Sequence, residues 1–115
     1  MNIKTFTSQV SKEELLALAE ASFGNMVKGV IDIQKKILAL GSELHSDCEE
    51  ILLDQGSKQV NLWGFNIYTD RTKEERLEYT SMINIRPKQN NMQREIQDPN
   101  LRKQIKDIID NMVEA

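Results

Sequence analysis

Apolar residues recur along this chain at helical spacing in some stretches and in alternation in others, and the changes of period divide it into elements. Leu15, Leu18, Ala19 and Phe23 fall on one helical face behind SKEE, and Gly24 offers a left-handed stop. In SKEE the Ser11 hydroxyl can accept from the Glu14 N–H while the Glu14 carboxylate reaches back, a capping box. Residues 26–45 fit two periods. Met26, Val30, Ile33, Ile37 and Leu40 make a helical stripe, but Val30, Ile31 and Ile33 are β-branched and QKK interrupts the apolar positions as a turn would. A β-hairpin is the better reading. Ile31, Ile33, Leu38, Leu40 and Leu44 then face the core, and Asp32, Gly41, Glu43 and His45 point the other way.

Downstream, Ser46 and Glu49 repeat the S-x-x-E pattern and predict a helix over residues 47–55, with Cys48, Ile51 and Leu52 inward and Gly56 past its end. VNLWGFNIYT and LEYTSMINIR read as a second hairpin across the charged loop DRTKEER. Trp63, Phe65 and Ile67 share the inner face of one strand, and Ser81, Ile83 and Ile85 that of the other. Asp98 and Pro99 then open a last helix with the stripe Leu101, Ile105, Ile108, Ile109 and Met112. IKTF adds a short strand at the start. The fold class predicted is α+β: an antiparallel sheet of four to five strands built from two hairpins, with three helices mainly on one face.

Length and composition narrow the class. With 115 residues, 39% of them apolar and only two prolines, the chain is expected to form a single domain over residues 1–115. The net charge of -3 points to neither a membrane surface nor nucleic acid, and no basic motif with interleaved aromatics is present. Charge is unevenly spread, however. Between Arg86 and Lys106 six Lys or Arg face only Glu95 and Asp98, so an anion site is conceivable there. One cysteine cannot form an internal disulfide, no apolar run approaches a membrane span, and MNIKTFTSQV lacks the features of a signal peptide. The expected location is cytoplasmic.

GSELHSD, LLDQGSKQVNLWGFNIY, SMINIRPKQNN and REIQDPNLR together resemble a family of small prokaryotic proteins classed as a domain of unknown function. The resemblance spans roughly residues 25–110 and implies no reaction, ligand or site residue. Gly41-Ser42 stands where members tend to have Gly-Gly, and Asn90-Asn91 where Gly-Asn is expected. Asn tolerates the left-handed conformation, so the turn can be kept.

Candidate chemistry concentrates in GSELHSDCEE, which holds the only His and the only Cys. Glu43, His45 and Asp47 could present an imidazole and carboxylates to a divalent metal in a metal-dependent hydrolase, but a helix cap explains Ser46, Asp47 and Glu49 without chemistry. Cys48 reads as a buried helix residue rather than a nucleophile. A second constellation draws on three strands: Glu43, His45, Asn66, Asn84 and Arg86 would emerge together on a sheet face free of helices. Asn and Arg there can fork hydrogen bonds to an anionic or polar ligand or to a partner protein. Asn is a poor strand former, so Asn66 and Asn84 carry a cost that a ligand site or an internal polar network, tying down the PKQNN loop, should offset. The functional expectation is therefore a small cytosolic binding or interaction module using its polar sheet face, with no cofactor and no resident metal. The metal-dependent hydrolase is the alternative, and a homodimer through the short first strand is open.

Overall fold

The computed structural model describes residues 3–115. Its α+β fold is a five-stranded antiparallel sheet with three helices. The strands are β1 (Lys4–Phe6), β2 (Met26–Asp32), β3 (Ile37–Ser42), β4 (Leu62–Tyr68) and β5 (Leu77–Glu78), in the spatial order β1-β3-β2-β4-β5. The helices are α1 (Lys12–Glu20), α2 (His45–Asp54) and α3 (Pro99–Met112). Among the described residues no helix is long and apolar enough to cross a membrane.

Residues 26–42 form the expected hairpin, with Ile31 opposite Leu38 and Val30 opposite Ala39. Its turn is built by Asp32, a buried residue whose Oδ1 accepts from the N–H groups of Gln34 and Lys35, both at 2.9 Å. Asp32 thus serves the fold instead of pointing to solvent. Each face of the sheet carries its own core. On one, Leu15, Leu18 and Ala19 of α1 and Ile105, Ile108, Ile109 and Met112 of α3 pack on Ile31, Leu38, Leu40, Trp63, Phe65 and Ile67. On the other, Cys48 and Leu52 of α2 cover Val30, Ala39 and Leu62. Two helices therefore share one face and α2 takes the opposite one.

The capping box at Ser11 forms as predicted, and Asp98 caps α3 through the Asn100 N–H. Three local expectations fail. Phe23 lies beyond α1 and is exposed, with the Lys28 ammonium 5.2 Å from its ring centre. Leu44 is 60% exposed, because β3 ends at Ser42 and the chain turns directly into α2. That helix begins at His45, and Leu44, its N-cap residue, offers no side-chain hydrogen bond, so Ser46 does not cap it.

The largest departure follows β5. Only Leu77 and Glu78 pair with β4, after which the chain leaves the strand through 3-10 turns at Met82–Asn84 and Pro87–Gln89. Ser81 starts the first turn by accepting the Ile83 N–H on its hydroxyl, a local bond that competes with strand pairing. Ser81, Asn84 and Arg86 are buried while Met82 and Ile85 are exposed, so Ile85 does not pack inward. Asn90 closes the excursion in the left-handed region at φ 59°.

Candidate functional site

Alternation along β4 places Leu62, Gly64, Asn66 and Tyr68 toward the α2 side of the sheet. Beneath α2 this face is apolar. Beyond it runs a polar row across four strands, in which Ser42 pairs with Lys28, Lys28 with Asn66, and Asn66 with Glu78. His45, the first residue of α2, stands at the boundary. The face expected to be free of helices is partly covered by α2, and the polar row crossing the rest of it holds Asn66, with His45 at its edge, but not Asn84 or Arg86.

Asn66 is 6% exposed. Its Nδ2 donates to Glu78 Oε1 at 2.7 Å and, more weakly, to the Thr80 carbonyl at 3.4 Å. The Tyr68 hydroxyl also donates to Glu78 Oε1, at 3.4 Å. Asn66 Oδ1, by contrast, is buried and has no hydrogen-bond donor among the described residues. The nearest imidazole proton is already committed. His45 Nε2 lies 2.9 Å from the Phe65 carbonyl oxygen, and because a carbonyl only accepts, Nε2 carries the proton and Nδ1 keeps its lone pair. Burial holds the His45 pKa below its ordinary value; the bond to the Phe65 carbonyl opposes this, the Lys28 charge adds to it, and a weak side-chain hydrogen-bonding interaction with Asn66, too poorly aligned to satisfy Oδ1, opposes it together with the Glu78 charge. A neutral imidazole beside the Asn66 amide follows.

The other expected members are placed differently. Glu43 is exposed at the turn before α2. Asn84 is fully buried, with Oδ1 accepting the Gly64 N–H at 2.8 Å and Nδ2 donating to the Gly64 carbonyl at 3.0 Å. It acts as a surrogate strand on the edge of β4 where β5 has ended. Arg86, also buried, donates to the carbonyls of Leu62, Gln59 (2.7 Å) and Ile83 (3.0 Å), lies 3.5 Å from Glu49, and stacks 4.5 Å from the Trp63 ring. Asn91 completes this network by donating to the carbonyls of Asn84, Gln93 and Glu95 and accepting the Gln97 N–H. Asn84 and Arg86 thus have their polar groups engaged within the fold and do not meet His45 and Asn66 on an open face.

Metal chemistry at Glu43, His45 and Asp47 finds no geometric basis. Among the described residues no three His, Cys, Asp or Glu side chains stand where they could hold a metal. The charges acting on the imidazole come from Lys28 and Glu78, not from Glu43 or Asp47. Cys48 is buried, its thiol donates to Ser42 Oγ at 3.1 Å, and burial pushes its pKa up, which suits packing and not nucleophilic attack.

Sequence reasoning missed Lys28 and Glu78. Lys28 stood out as the lone charge in the apolar run MVKGVI, which was a usable signal. Glu78 was hidden because the loop between β4 and β5 is too long for turn type to set the register.

The family model described as "Protein of unknown function (DUF5674)" matches residues 4–112, and the chain belongs to that family. No curated protein and no solved structure matches the chain.

Proposed function

We propose that this DUF5674 member is a small binding module that takes a polar ligand, or a polar segment of a partner protein, on the row Lys28, Asn66 and Glu78, flanked by His45 and Tyr68. One observation carries the reading: Asn66 Oδ1 is a buried acceptor without a donor among the described residues. Leaving such a group unpaired costs about 1–3 kcal/mol, and Asn in a strand adds to the cost. A ligand that brings an N–H or O–H donor recovers it by displacing the side chains that cover Oδ1.

The character of the row sets the ligand chemistry. Asn66 Oδ1, His45 Nδ1 and the Glu78 carboxylate are acceptors, whereas Lys28 is the one strong donor, so a molecule rich in donors with at most one anionic or acceptor group fits best. A free buried thiol at Cys48 accords with the reducing conditions of the cytosol.

The test uses the side-chain amide resonance of Asn66 in 15N-labelled protein. Acetamide, agmatine and ribose are titrated to millimolar concentration, and a binder is expected to move the Asn66 amide and the His45 ring signals together. Asn66→Val should abolish the response. It should also change stability by no more than about 1 kcal/mol, since the lost bond to Glu78 is offset by relief of the unpaired oxygen and by better strand propensity. Unmoved resonances with all three probes, or a loss of several kcal/mol in Asn66→Val, would assign Asn66 to the fold.

A further inference from the structure

The loop DRTKEER separates its charges in space. Its basic residues Arg71, Lys73 and Arg76 all line one cavity of about 170 Å³, and its acidic residues Asp70, Glu74 and Glu75 do not. Asp70 instead accepts from Asn25 at 3.2 Å, and Glu75 from the Thr72 hydroxyl at 3.3 Å. Lys12, at the start of α1, adds a fourth cation, and Glu114 is the one acidic side chain in the lining.

Arg76 is the fixed element of this cavity. Only 3% exposed, it donates to the carbonyls of Glu114 (3.0 Å) and Val113 (2.9 Å), and its Nη2 lies 3.3 Å from Asp110 Oδ1. Asp110 is shared with Lys106, 2.6 Å away, so it neutralises Arg76 only in part. Arg76 Nε is buried with no acceptor among the described residues. Backbone bonds between Val10, Met112 and Glu114 pin the C-terminal wall. Arg71 lies 3.7 Å over the centre of the Tyr68 ring, which restrains its guanidinium at the rim. Leu15, half-exposed Leu16 and the Tyr68 ring form the apolar part of the wall, and Thr69, Thr72 and Ala115 complete it.

We infer that this cavity is a second binding site, for a small organic anion that joins one carboxylate or phosphate to one apolar group. The excess of positive charge selects the anion; Arg71, held over the Tyr68 ring, can fork hydrogen bonds to either oxyanion, while Arg76, its Nη groups committed to Glu114, Val113 and Asp110, contributes charge. The volume limits the apolar part, because an apolar cavity near 150 Å³ accommodates about one benzene ring. The two sites share the Tyr68 side chain, but the cations that select the anion belong to this one alone, so either can fail without the other.

Benzoate and phenyl phosphate are the probes, with benzyl alcohol as the neutral control, titrated into the full chain while the Arg76 Nε–H and the Leu15 and Leu16 methyl resonances are followed. Saturable shifts are expected with one or both anions, stronger with whichever is the better oxyanion, and weakening as sodium chloride is raised. Arg71→Gln with Lys73→Gln removes two exposed cations. It should weaken anion binding roughly tenfold without lowering the melting temperature. Glu114→Gln should strengthen binding. Equal binding of benzyl alcohol would make the cavity a mere apolar hole, and the inference would fall; so would no saturable shift with either anion, or an affinity unchanged in the double variant.

Discussion

Replacing Asn84 separates its role in the fold from any role in binding. Its amide satisfies both backbone groups of Gly64, at 2.8 and 3.0 Å, inside a region closed to water. Asn84→Ala leaves a buried N–H and a buried carbonyl without partners. At about 1–3 kcal/mol for each orphaned group, the loss is about 2–6 kcal/mol, a large part of the roughly 5–15 kcal/mol that a domain commands. Asn84→Asp is the sharper probe. One carboxylate oxygen can still accept from Gly64 N–H, but the other faces the Gly64 carbonyl and needs a proton to bond to it. Burial and that facing carbonyl raise the folded-state pKa of the new acid above its unfolded value of about 3.9. The folded state then binds the extra proton more tightly, so the variant's stability falls as pH rises through the window between the two values and is recovered on acidification. Urea unfolding followed by Trp63 fluorescence, at pH 7 and near pH 4.5, reads both effects, since Trp63 is buried in the native state. The deficit of Asn84→Asp relative to wild type should shrink at the lower pH, while that of Asn84→Ala stays constant. A loss below about 1 kcal/mol in Asn84→Ala, or a deficit in Asn84→Asp that does not respond to pH, would refute the surrogate-strand role.

Three further outcomes follow from the structure. Because the folded-state pKa of His45 lies below its unfolded value, the unfolded state takes up the proton first as pH falls. Wild-type stability should therefore decline as pH drops below about 6.5, and His45→Gln should remove that part of the pH dependence of the urea midpoint. At Gly64 an added Cβ would sit 2.6 Å from Ser81 Cβ and 2.7 Å from its Oγ. Gly64→Ala should cost about 1–3 kcal/mol, and Ser81→Gly in the same chain should restore at least about 1 kcal/mol of it; strictly additive losses in thermal unfolding would contradict the overlap. Cys48, buried and bonded to Ser42, should react with a thiol reagent only when the fold opens, so its labelling rate should rise in step with destabilising variants such as Asn84→Ala, and rapid labelling of native wild type would place it elsewhere.

The parts of this fold that were legible in sequence are those whose cause is local. Asp98 and Pro99 at the start of α3, the Ser11–Glu14 box, and the β-branched run broken by QKK each carry their structural reason within a few residues. Where a distant group decides, the pattern misleads. The S-x-x-E signal at Ser46 belongs to a helix that in fact starts at His45, whose ring is anchored to the carbonyl of Phe65, 20 residues away. SMINIR alternates like a strand, but Ser81 turns the chain and the Asn84 amide supplies the pairing that a longer β5 would have given β4.

The three asparagines show where such reading stops. Sequence identifies Asn66 and Asn84 as costly in a strand and Asn91 as part of a turn, yet it cannot count donors and acceptors in space. In the fold, the Asn84 amide is matched on both sides by Gly64, and the Asn91 amide is matched by three carbonyls and the Gln97 N–H. Asn66 is matched on one side only among the described residues, its Nδ2 held by Glu78 and its Oδ1 by nothing. Equal propensities thus conceal two different situations, a debt settled inside the chain and one left open. The open one lies beside an imidazole and a carboxylate, which is why the proposed binding role rests on Asn66 and His45, whereas the polar groups of Asn84 and Arg86 are engaged within the fold.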